Sequence, residues 1–159
     1  METKKFLEKV LGDGYYSVLG LGDKKVQSFH ATIDDVISRA NELDAQGINA
    51  YFGLATFETN KDRRVTNVKS LSSFYLDLDC GVGKEYPDQN TAFHDLKRFV
   101  KATGLPRPML INSGYGIHVY WVLNDSVSYA EWLPVAQALK DACIRHNLSA
   151  DNGVTADAA

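Results

Sequence analysis

Two aspartates one residue apart close an alternating run, Phe74-Tyr75-Leu76-Asp77-Leu78-Asp79. In an extended strand successive side chains point to opposite faces, so Phe74, Leu76 and Leu78 share one face while Asp77 and Asp79 share the other. Carboxylates that close repel, and each is driven toward protonation unless a divalent cation sits between them or water screens them. Hard oxygen donors suit Mg²⁺ or Mn²⁺. The same spacing also fits a plain strand end whose aspartates face water, so the pair needs company before it means a metal site.

That company lies in Asn112-Ser113-Gly114-Tyr115-Gly116-Ile117-His118-Val119-Tyr120-Trp121. Ile117, Val119 and Trp121 alternate with His118 and Tyr120, which places the second pair on the face that carries the aspartates. On a strand antiparallel to the first, His118 falls beside Asp77 and Asp79. The turn Ser113-Gly114-Tyr115-Gly116 offers a hydroxyl and backbone N–H groups that can approach a triphosphate, although it also serves as an ordinary hairpin connection. Gly81-Val82-Gly83-Lys84 adds a flexible backbone and a cation on the same rim, without the spacing of a P-loop. A third carboxylate comes from Asp151, with Asp157 as the fallback. If a last strand runs antiparallel to the first, its beginning lies beside the carboxylate tip, and Asp157 is displaced by about 20 Å at ~3.3 Å per residue. Lys61, Arg63 and Arg64, in a polar loop over 58–66, suit phosphate or template backbone, since arginine forks match phosphate oxygens without reading sequence. A solvated turn accounts for them equally well.

The elements that must position these groups are legible in the periodicity. A helix over 2–11 ends at Gly12-Asp13-Gly14, and strands over 15–21 and 25–29 flank Gly22-Asp23. Thr32 with Asp35 caps a helix that runs to Gly47, and a strand spans 50–57. The second part reads as strand 72–79, helix 91–103, strand 108–113, strand 117–123 and helix 129–146, with a final strand over 153–156. The fold class expected is therefore α+β: a split β-α-β-β-α-β core over 71–159, ferredoxin-like with strand order 4-1-3-2, preceded by an α/β extension over 1–70.

At 159 residues, 45% hydrophobic and 23% charged, the chain has the makings of one globular domain. Its net charge of -3 leaves nucleic-acid binding to a local patch rather than to an overall basic surface. Cys80 and Cys143 form no metal-binding pair and no disulfide framework. No apolar run is long enough for a membrane span and no signal peptide opens the chain, so a cytoplasmic protein with no membrane partner is expected.

Asp77-Leu78-Asp79, the glycine-flanked Ser113 and His118, and the late Asp151 followed by Val154-Thr155-Ala156-Asp157 together resemble the archaeo-eukaryotic primase (AEP) superfamily, in particular the primase-polymerases of phages, plasmids and other mobile elements. The resemblance is densest over 74–121 and fades before Gly47. It implies a DNA-templated nucleotidyltransferase of DNA replication using NTP or dNTP and two divalent metals. Asp77, Asp79 and Asp151 would hold the metals, and His118 and Ser113 would contact the triphosphate. It also implies a chain stopping short of an arginine-bearing segment that relatives carry, and a helicase module in the parent protein. A steric gate against the 2′-hydroxyl falls to Tyr115 or Tyr120. The rivals are a metal-dependent nuclease, a non-catalytic DNA-binding initiator module, and a ferredoxin-like RNA-binding module whose open-face aromatics stack on bases.

Overall fold

Short polar side chains set where the helices begin. In a computed structural model, which describes residues 2–159, the Thr32 hydroxyl accepts the N–H of Asp35 and starts α2 (Ile33–Ala45), and the Asp88 carboxylate accepts the N–H of Thr91 and starts α3 (Gln89–Thr103). The other elements are α1 (Thr3–Val10), β1 (Tyr16–Leu21), β2 (Lys25–His30), β3 (Asn49–Phe52), β4 (Thr56–Phe57), β5 (Val68–Asp79), β6 (Met109–Asn112), β7 (Gly116–Val127) and α4 (Tyr129–Arg145), with a 3-10 turn at Val65–Asn67. This is the mixed α+β architecture expected. The chain divides into two compact units: one takes the residues up to Ser72 with Asn124–Tyr129 and Ala158–Ala159, the other Ser73–Leu123 and Ala130–Asp157.

The first unit holds an antiparallel sheet of order β2-β1-β3, its hairpin closing at Leu21↔Lys25 around Gly22-Asp23. Leu7 and Val10 of α1, Val18 of β1, Val36 and Leu43 of α2 and Phe57 of β4 are among its buried apolar side chains. The single strand expected over 50–57 is two strands in two sheets. β3 pairs with β1 as far as Phe52, after which the N–H of Ala55 donates to the Ala158 carbonyl and the Thr56 hydroxyl reaches the Asp13 carbonyl and Ser70. Those partners draw β4 to the start of β5.

The second sheet has the order β4-β5-β7-β6. In the second unit it comprises the later part of β5, all of β6 and the first part of β7, whose hairpin register runs from Met109↔Tyr120 to Asn112↔Ile117. Alternation works as read: Phe74, Leu76, Leu78, Ile117, Val119 and Trp121 are buried. Trp132 of α4 stacks flat on Phe74, with ring centroids 5.9 Å apart, and donates its indole N–H to the Ser73 carbonyl at 2.9 Å. Each such fully buried apolar side chain contributes about 1.5–3 kcal/mol.

The final strand expected over 153–156 is a run of turns instead. The Asp151 carboxylate accepts the N–H of Gly153, the Asp151 carbonyl accepts that of Val154, and the Val154 carbonyl accepts that of Asp157. Asp-Asn-Gly winds back on itself because the short acidic side chain bonds its own backbone two residues on, which competes with extension. The place beside the first core strand belongs to β4, so the order 4-1-3-2 keeps its members 1, 3 and 2 and takes its fourth from the N-terminal half.

Candidate active site

β5 delivers Asp77 and Asp79 to one end of the second unit. The two differ in depth: the Asp77 side chain is 22% exposed and that of Asp79 47%. Asp77 Oδ1 stands 3.7 Å from Nε2 of His118 on the adjacent β7, and Asp79 Oδ2 stands 3.6 Å from Lys84 Nζ. Behind this front the Tyr75 ring meets His118 edge-on at 5.4 Å and lies 5.0 Å from Tyr120. Tyr120 is expected on the open face but is only 3% exposed, because Tyr75 covers it.

Burial pushes the Asp77 carboxyl above the usual carboxylate range; Asp79 and Asp151 push the same way, while His118 and Lys84 oppose them. Burial likewise raises the Tyr75 and Tyr120 hydroxyls well above the ordinary tyrosine range, with Asp77 the next contributor to both, so both rings stay protonated.

Asp151 reaches this site through its backbone. Its N–H donates to the Asp77 carbonyl at 2.9 Å, a single ladder-like bond at the place the sequence reserves for the start of a strand. Asp157 lies beyond the turns that follow and is exposed. Among the described residues, no three His, Cys, Asp or Glu side chains are gathered as a group able to hold one metal ion. Asp77 faces His118, Asp79 faces Lys84, and Asp151 holds the Gly153 N–H.

The β6–β7 turn is built tightly. Gly114 takes a φ of +84°, the Ser113 N–H donates to Gly116, and the Gly114 N–H donates to Asn112 Oδ1. Two of the amides expected to face a ligand are thus used inside the turn. The Ser113 hydroxyl makes no hydrogen bond among the described residues, and the Tyr115 ring is 82% exposed. The Cys80 N–H donates to the Tyr115 carbonyl, tying the turn to the loop after Asp79. A side chain on Gly116 would run into the Leu78 carbonyl, so the position admits none.

Asp79, Lys84, Asn147, Ser149, Asp151 and Asn152 line an open cleft of about 600 Å³. Lys61, Arg63 and Arg64 belong to the first unit. There Arg63 donates to the Ala159 carbonyl at 3.3 Å, Arg64 stands 4.0 Å from Asp62, and the Asn67 side chain laces the loop by donating to the carbonyls of Thr59 and Asp62. Sequence reasoning passes over Tyr86, a buried residue in the loop between β5 and α3 whose hydroxyl bonds the segment leading to Asp151. A lone tyrosine before Pro87 carries no periodic signal that would have found it.

Comparison with known proteins gives three results. No family model matches the chain. Over 101 residues, 63% of the chain, it is 32% identical to a replication protein of Clostridium perfringens, and the match spans 24% of that protein's length. It is also similar in structure to the AEP domain of the cyanophage S-2L primase-polymerase, with a TM-score of 0.56 and 17% identity, covering 81% of this chain and 64% of that domain. The chain has the fold of an AEP domain. Within this AEP fold Asp77, Asp79, Lys84, Ser113, His118 and Asp151 all belong to the second unit.

Proposed function

We propose that this chain is the catalytic core of a primase-polymerase that joins NTP or dNTP on a DNA template in replication. The observation that carries this is the meeting of two acidic segments and a histidine at one end of the second unit: Asp77 beside His118 at 3.7 Å, and Asp151 bonded to β5 at Asp77. The fold likeness and the similarity to a replication protein support the same reading.

The donor set fits Mg²⁺ or Mn²⁺. Three carboxylates supply hard oxygens, and Asp77, which burial and its acidic neighbours drive toward protonation, gains from a cation. Asp77, Asp79 and Asp151 would hold the metals, turning from their present partners to do so. When bound, such ions lower the pKa of an attacking 3′-hydroxyl and stabilise the leaving pyrophosphate. The chain's own residues bind and orient: His118 and the Ser113 hydroxyl hold the triphosphate, and Lys84, freed from Asp79 as the acids turn, adds a cation to it. Lys61, Arg63 and Arg64 bind template or primer phosphates in the first unit. Of the two candidate gates Tyr115 is the accessible one, since Tyr120 is buried.

The test is incubation of the chain and its Asp79→Ala variant with labelled primer-template DNA, nucleotides and Mn²⁺. Lengthened or new strands from the wild type alone support the proposal, whereas shortened strands mean a nuclease built on the same acids. DNA binding that is equal in both proteins and independent of Mn²⁺, with no product, means a non-catalytic module.

A further inference from the structure

Tyr86 grips both segments that carry the outer acids. It is 5% exposed. Its backbone pairs with Cys80 and its carbonyl accepts the N–H of Gly81 at 2.9 Å, two residues beyond Asp79. Its hydroxyl accepts the N–H of Ser149 at 3.0 Å, two residues before Asp151. The same hydroxyl donates to Asp95 Oδ2 of α3 at 2.5 Å, and Arg98 Nε donates to the other Asp95 oxygen at 2.6 Å.

The chemistry fixes the direction of each bond. An ionised carboxylate only accepts, so the one Tyr86 proton goes to Asp95 and a lone pair is left aimed at Ser149. Burial, with the Asp95 bond, pushes the Tyr86 hydroxyl up to about 12, which keeps that proton in place at neutral pH. The segment after α4 has no strand ladder to hold it. The Ser149 bond to Tyr86 and the Asp151 bond to Asp77 tie it to the loop and strand that bear the other acids. Leu148, buried and bonded through its N–H to the Cys143 carbonyl, anchors the start of the segment, and the Ser149 bond sets how the residues after it meet the loop beyond Asp79.

We infer that Tyr86 is a positioning residue that sets the separation between Asp79 and Asp151, its backbone holding one segment and its hydroxyl the other. The inference rests on the reading of these acids as metal ligands given above. Groups that orient ligands without touching the metal typically change its affinity about 10–100-fold when removed.

Tyr86→Phe keeps the ring and the Gly81 bond and removes only the hydroxyl. Calorimetric titration of Mn²⁺ into the wild type and this variant, both with intact circular dichroism, should show at least tenfold weaker binding in the variant. Amide exchange at Ser149 and Asp151 should quicken while that of Leu76 and Val119 stays slow. Asp95→Ala is the control, because it loosens the same corner yet leaves Ser149 its acceptor, and it should retain most of the Mn²⁺ affinity. Equal Mn²⁺ affinity in wild type and Tyr86→Phe overturns this inference alone, as does an equal loss in Asp95→Ala. No Mn²⁺ binding to the folded wild type overturns the reading of the acids as ligands, and this inference with it.

Discussion

The backbone N–H of Asp151 donates to the backbone carbonyl of Asp77 at 2.9 Å, so two acids 74 positions apart in the chain (151 less 77) are joined through the main chain rather than through their side chains. Substituting either carboxylate therefore leaves the bond that places it, and loss of function can be separated from loss of fold.

Asp77 is the sharpest case. Its carboxyl is raised by burial, so its protonated form is the one the fold favours. That contribution is fully present below the ordinary aspartate range and is lost as the pH rises through the raised value. With metal chelated, Asp77→Asn should therefore melt higher than wild type at pH 7. The gain should shrink in acid, and the variant should bind no Mn²⁺. A lower melting temperature at pH 7 would contradict the assigned burial.

Two glycines of one hairpin should respond differently. At Gly114 an added methyl meets open space but the φ of +84° strains it, which costs about 1–2 kcal/mol. At Gly116 the methyl collides with the Leu78 carbonyl, and β7 must part from β5. Urea unfolding should find Gly116→Ala the worse by at least ~1–3 kcal/mol. Equal costs would mean that the two strands are not in this contact.

Asp95 gives a second pH signature. Although burial works against it, the bonds from Arg98 and Tyr86 hold its carboxyl below the usual range. The stability it supplies is present above the ordinary aspartate value, about 3.9, and is lost as the pH falls through the lower folded value. The difference in unfolding free energy between wild type and Asp95→Asn should thus be constant from pH 8 to about 5 and vanish in stronger acid. A difference that persists unchanged in acid would remove the ion from the account.

Tyr115, exposed on its turn, should be separable from the fold altogether. Tyr115→Ala should leave the unfolding free energy within about 0.5 kcal/mol. It should shift the ratio of kcat/KM for NTP over dNTP by roughly tenfold, while Tyr120→Phe leaves that ratio alone. An unchanged ratio in Tyr115→Ala rules it out as the gate.

Much of the second unit was legible because its signals are local. The period-two alternation of Phe74 to Asp79 and of Ile117 to Trp121 assigned the faces, apart from Tyr120, and Gly114 and Gly104 marked a turn and a helix end that the structure contains. The strand expected over 153–156 failed for a local reason too, since the Asp151 carboxylate competes for the Gly153 N–H. The break between β3 and β4 was not legible, because its cause is a pair of partners, Ala158 and Ser70, remote in the chain.

By itself the sequence determined which residues face the same way: a carboxylate pair, a histidine on the same side, and a glycine turn before it. That much follows from backbone geometry over a few residues. Only the tertiary structure decided that Asp151 joins them by a single backbone bond, that Tyr120 is closed over by Tyr75, and that Tyr86 grips the segments of two acids. Each of those is a contact between distant segments, and no local preference encodes which partner a buried donor will find.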